Sequence, residues 1–60
     1  MESFLNYAKE RLKEAENQIN ELEKMIEIGK KAGLNISEYI IKLQNLKNEY
    51  NRWKKAIEGL

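Results

Sequence analysis

Apolar residues recur along the first half of the chain at Met1, then, after a first step of four, at Leu5, Ala8, Leu12, Ala15, Ile19, Leu22 and Ile26, with Gly29 closing the series. The steps alternate between three and four, which is the spacing that keeps side chains on one stripe of an α-helix and sets up a seam of the coiled-coil kind. The second half repeats the rhythm at Ile36, Tyr39, Leu43, Leu46, Tyr50, Trp53, Ile57 and Leu60. No stretch alternates with the period of two that a half-buried strand needs. The pattern therefore predicts an all-α protein in a single unit: helix one over about residues 3–32, a turn at 33–35 and helix two over about 36–59.

The segment between the two periodic runs, Lys30 to Tyr39, reads KKAGLNISEY. Lys30 and Lys31 suit the carbonyl end of a helix dipole, and Gly33 can adopt the left-handed conformation that ends a helix. Leu34 is then expected to fold back on Ile28. Asn35 is the expected N-cap of helix two, with Glu38 as its capping-box partner and a staple between Leu34 and Tyr39; Ser37 is the competing N-cap. A loop this short forces the helices antiparallel. Counting outward from it places Gly29 opposite Tyr39, Leu22 opposite Leu46, Ala15 opposite Trp53 and Leu12 opposite Ile57, with Glu23 near Lys47 and Glu16 near Lys54.

In that register helix one outruns helix two, so Met1, Phe4, Leu5 and Tyr7 are expected to overhang. The apolar residues outside the seam then form the expected protein interface: Phe4, Tyr7, Met25, Ile28, Ile40 and Ile41. Sixty residues are few for a self-sufficient core, and a chain this small usually leans on a disulfide, a metal or a partner. Cysteine and histidine are both absent, which excludes disulfides and the usual zinc sites. A homodimer, two hairpins forming a four-helix bundle, is the simplest helper, and another protein is the next.

Charge refines this picture. The net charge is +1, far from the strongly basic balance of a dedicated nucleic-acid binder. Residues 1–30 nevertheless carry five Lys and Arg against seven Glu, and residues 31–60 carry six against three. Lys42, Lys47, Arg52, Lys54 and Lys55, interleaved with Asn45, Asn48 and Asn51, are the expected contacts if the protein binds DNA or RNA as a regulatory dimer. Catalysis has little to work with: there is no His, Cys or Asp, and the glutamates fall on outer or flanking positions. No enzyme activity, catalytic residue, cofactor or bound metal is expected. The absence of a long apolar run and of a basic-then-apolar start points to the cytosol.

Three partial resemblances accompany these readings. AGLNISEYI, Ala32 to Ile40, resembles the turn and second-helix start of ribbon-helix-helix repressors and antitoxins, which implies DNA binding, although that family reads DNA through an N-terminal strand and this chain opens on a helical pattern. LQNLK, Leu43 to Lys47, is similar to the second-helix signature of the helical-hairpin phosphatases that act on sporulation response regulators. Gln44 and Leu46 match that signature, while Leu43 stands where the family has serine and Lys47 where it has an acidic residue. Length and hairpin form resemble the RNA-binding dimers of the Rop type. None of the three identifies a family, and the expected function is that of a small protein-protein interaction module, a regulator or assembly element, with nucleic-acid binding as the alternative.

Overall fold

The computed structural model describes residues 2–59, with the side chain of Glu2 left out. Two α-helices, α1 (Glu2–Lys31) and α2 (Ser37–Glu58), pack against each other as an antiparallel hairpin. The molecule is a rod of 47 × 14 × 13 Å. Its radius of gyration is 14.2 Å, against roughly 10 Å for a compact domain of this length.

The turn is built from local hydrogen bonds. The Leu34 N–H donates to the Gly29 carbonyl at 2.9 Å and the Gly33 N–H to the Lys30 carbonyl at 3.1 Å. Gly33 lies at φ 73°. Together these make a Schellman stop, with Gly33 in the left-handed position that a side chain would strain. Asn35 then starts α2: its Oδ1 accepts from the Ser37 N–H at 3.1 Å and from the Ser37 hydroxyl at 2.8 Å. The first helical bond runs from the Ile40 N–H to the Ile36 carbonyl at 3.0 Å. The N-cap place is held by Ile36, which offers no side-chain bond; Asn35, expected there, stands one residue earlier and steadies the start of α2 through its two bonds from Ser37. Ser37 is the first helical residue, and among the described residues the Glu38 carboxylate makes no return bond to close a capping box.

The register differs from the one counted out from the turn. Gly29 faces Ile36, not Tyr39: a Cβ added at Gly29 would come within 2.7 Å of Ile36 Cγ2. The Tyr50 hydroxyl donates to Glu16 Oε1 at 2.7 Å, where the count had placed Lys54 beside Glu16. Lys47 and Glu23 do pair, at 3.6 Å. The cause is the path of the connection, residues 32–36. Ile36, its last residue, folds back over Gly29, which slides the α2 seam by about one layer, so that α1 positions face α2 residues earlier in the chain than the count assumed. Leu12 and Ala15 consequently line the same small cavity as Leu46, Tyr50 and Trp53.

The slide also shortens the overhang. Leu5 is half-buried and Ala8 is 2% exposed. The Tyr7 ring meets the Trp53 ring edge-on, with centroids 6.5 Å apart. Helix one is therefore partly covered by its own chain at Leu5, contrary to the overhang expected of that residue, while Tyr7 touches Trp53 by one edge and stays 54% exposed. Met1 and Leu60 lie outside the described residues.

Candidate interaction surface

A hairpin of two helices can bury only the stripe each turns to the other, and the seam is covered only partly. Ala8 is the buried apolar side chain of the described residues, and the other seam positions are half-covered or, at Tyr39, exposed. Among the described residues, eight large apolar side chains remain open to solvent, from Tyr39 at 37% to Ile28 at 67%. The cavity lined by Leu12, Ala15, Tyr50 and Trp53 is about 70 Å³, room for a few waters, and the larger hollows, such as the one of about 430 Å³ beside Met25 and Tyr39, are shallow and open to solvent. Among the described residues no three His, Cys, Asp or Glu side chains gather to hold a metal ion, and no helix is long and apolar enough to cross a membrane. What the hairpin offers to other molecules is therefore its outer surface.

Its two broad sides differ in chemistry. On one, the residues that precede the seam positions form a second stripe along α1, containing Phe4, Tyr7, Met25 and Ile28, all exposed. The Phe4 and Tyr7 rings meet at a tilt of 54° at the open end, their centroids 6.4 Å apart. At the turn end Met25, Ile28, Leu34 and Tyr39 line one shallow apolar concavity floored by Gly29 and Ile36. Between these patches lie Arg11, Glu14 and Gln18, with Glu49 of α2 beside them. Arg11 bonds Glu49 at 3.3 Å and approaches Glu14 at 3.7 Å.

The opposite side is polar, with Glu16, Asn20, Lys47 and Asn51 around Ile19 and Tyr50. Here the Tyr50 phenol titrates above its ordinary value, first because its hydroxyl is held by the Glu16 carboxylate, then through desolvation and the negative charges of Glu16 and Glu58. Ionising the phenol would put a second negative charge against Glu16.

No protein-family model matches the chain, and no curated protein or solved structure matches it. Function has to be read from the surface itself.

The structure gathers four of the six expected interface residues on one side, in the pairs Phe4 with Tyr7 and Met25 with Ile28. Ile40 and Ile41 do not join them. Ile40 follows the seam position Tyr39 and so turns to the polar side, and Ile41, a further 100° or so round the helix, faces outward. Leu34 and Tyr39 belong to the patch although the sequence assigned them to the turn and the seam. Tyr39 is released because Ile36 occupies the place opposite Gly29. Leu34, expected to fold onto Ile28, shares its concavity but stays 66% exposed.

The five basic residues singled out on helix two are all exposed but do not share a face. Lys47 pairs with Glu23, Lys42 lies over the Tyr39 ring at 5.7 Å and Lys54 over the Tyr50 ring at 6.0 Å. Arg52 borders a shallow groove with Glu49, Trp53 and Ala56. Lys55 stands in the last turn of α2, where a cation complements the helix dipole.

Proposed function

We propose that the protein is a self-associating protein-protein interaction module, and that its working form is a homodimer in which two hairpins complete a four-helix bundle. The observation that supports this is surface. The chain exposes 5116 Å², whereas a compact monomer of 7.1 kDa would expose about 4,100 Å². The excess, roughly 1,000 Å², is close to the ~800 Å² that one partner contributes to an ordinary specific interface. Of the exposed large apolar side chains, Phe4, Tyr7, Met25, Ile28, Leu34 and Tyr39 lie on one side, which is how an unsatisfied interface differs from scattered surface hydrophobics. A regulator, adaptor or assembly element is the role that fits such a surface.

Sedimentation across micromolar concentrations tests the reading. A mass moving from one chain to two, with helicity and thermal stability rising alongside, is expected. Changing Tyr7 and Met25 together to Ser should shift that midpoint to higher concentration. A monomer that unfolds cooperatively at a concentration-independent temperature would reject the proposal.

A further inference from the structure

We infer that the second copy docks through the α1 stripe in the antiparallel sense, α1 against the partner's α1, leaving the two turns at opposite ends of the dimer. This rests on the dimer reading above and adds its geometry. The stripe is self-complementary about the level of Glu16. Taken outward from that level it sets Glu14 against Gln18, Arg11 against Glu21, Tyr7 against Met25 and Phe4 against Ile28. The sequence steps between these positions run 3, 4, 3, 4, 3, 4, 3, so all eight stay on one face of a helix and the order reads the same from either end. A two-fold axis crossing α1 at that level therefore brings apolar onto apolar at both ends and cation onto anion between them. An isologous interface requires that kind of match.

The exposure data agree with this pairing. Phe4, Tyr7, Met25 and Ile28 are each between 49% and 67% exposed, so their own chain leaves about half of each ring or branched chain for a partner to cover. Leu34 and Tyr39 extend the turn-end patch and would flank the partner's Phe4 and Tyr7.

The competing arrangement has both turns at the same end and lays α1 over the partner's α2. The corresponding stripe of α2 is Glu38, Lys42, Asn45, Glu49, Arg52 and Ala56, five of them charged or amide residues. Met25 would then come level with Glu38 and Lys42, and its apolar surface would stay unmatched.

Two measurements decide it. With Lys31→Cys carrying a nitroxide, the two labels of a dimer are expected about 45 Å apart, thirty residues of helix at 1.5 Å each. Separations below about 25 Å would mean turns at one end, as adjacent helix axes lie only 8–10 Å apart, and would overturn the inference while leaving the dimer intact. A chain that sediments as a monomer at the labelling concentration would overturn the dimer reading and this one with it. In the second measurement, Glu21→Arg should weaken the dimer about two- to thirtyfold, because two exposed ion pairs become repulsions. Adding Arg11→Glu should restore it, whereas Glu27→Arg, the same charge change on the far side of α1, should leave it unaltered. Failure of the double variant to recover would reject the Arg11–Glu21 pairing.

Discussion

At Gly29 the backbone of α1 takes the Ile36 side chain of the connection directly against it, and Gly29→Ala isolates what that close approach contributes. Alanine is favoured over glycine by about 1 kcal/mol in a helix interior, so at an open position of α1 the change would stabilise the protein. At Gly29 the new methyl would lie 2.7 Å from Ile36 Cγ2, where ordinary contact begins at 3.4 Å. Ile36 is β-branched and stiff at χ1, and its backbone is held at the N-cap of α2, so the gap has to open by moving a helix. Overpacking of this kind typically costs about 1–3 kcal/mol. The net expectation for Gly29→Ala is a loss of about 0–2 kcal/mol.

Ile36→Ala removes the obstructing methyl, and in that background Gly29→Ala should stabilise by up to about 1 kcal/mol. The coupling, about 1–3 kcal/mol, is the decisive quantity. Urea unfolding followed by ellipticity at the helix band measures it for all four proteins, at one fixed chain concentration so that association does not enter. If Gly29→Ala stabilises equally with and without Ile36, the close approach is not there and the register described above is wrong.

The Asn35 bonds and the phenol supply two further tests. Asn35→Ala leaves the Ser37 N–H without its acceptor and should destabilise by about 0.5–1.5 kcal/mol, or a few degrees in Tm for a chain of this length, whereas Asn35→Asp should retain most of the stability; calorimetry separates the two. The difference in phenolate absorbance between the parent and Tyr50→Phe should place the midpoint of Tyr50 above 10, the ordinary value for tyrosine. Because the folded state holds the proton more tightly, the stabilisation from Tyr50 is fully present below the unfolded midpoint near 10 and is lost as pH rises through the folded one. A Tyr50 midpoint at or below 10 would contradict the Glu16 hydrogen bond.

Much of this was readable in the chain because it depends on local spacing. The seam follows from three-four steps, the stop from Gly33, and the start from Asn35, whose amide reaches only two residues on. Register differs by about a layer because it depends on which residue of the connection folds back over Gly29, which spacing does not specify. Counting placed Ile36 inside the helix, whereas in the structure it completes the connection and fills the space over Gly29. That misplacement hid Tyr39, which a seam assignment would bury and the structure exposes. The patch was legible where residues fell one position before the seam, as Tyr7, Met25 and Ile28 do. It was not legible for Ile40 and Ile41, since two consecutive residues of a helix cannot turn to one side. The wide scatter of the helix-two cations follows from the same 100° step.

The single seam has a mechanical consequence. In an antiparallel hairpin the two chain ends, near Glu2 and Gly59, sit together at the end away from the turn. Force applied there pulls across the seam, so the layers are loaded singly, beginning at Tyr7 and Trp53 and passing up the rod toward Gly29 and Ile36. Opening is then a progressive peel that needs little force at any instant, and the Schellman turn, with the Asn35 bonds to Ser37 beside it, is the last structure to yield. A second copy laid across α1 would change the mode of failure. Peeling one hairpin would then also have to tear its outer stripe away from the partner, so the dimer would resist load along the length of the rod where the single chain resists it only at a point.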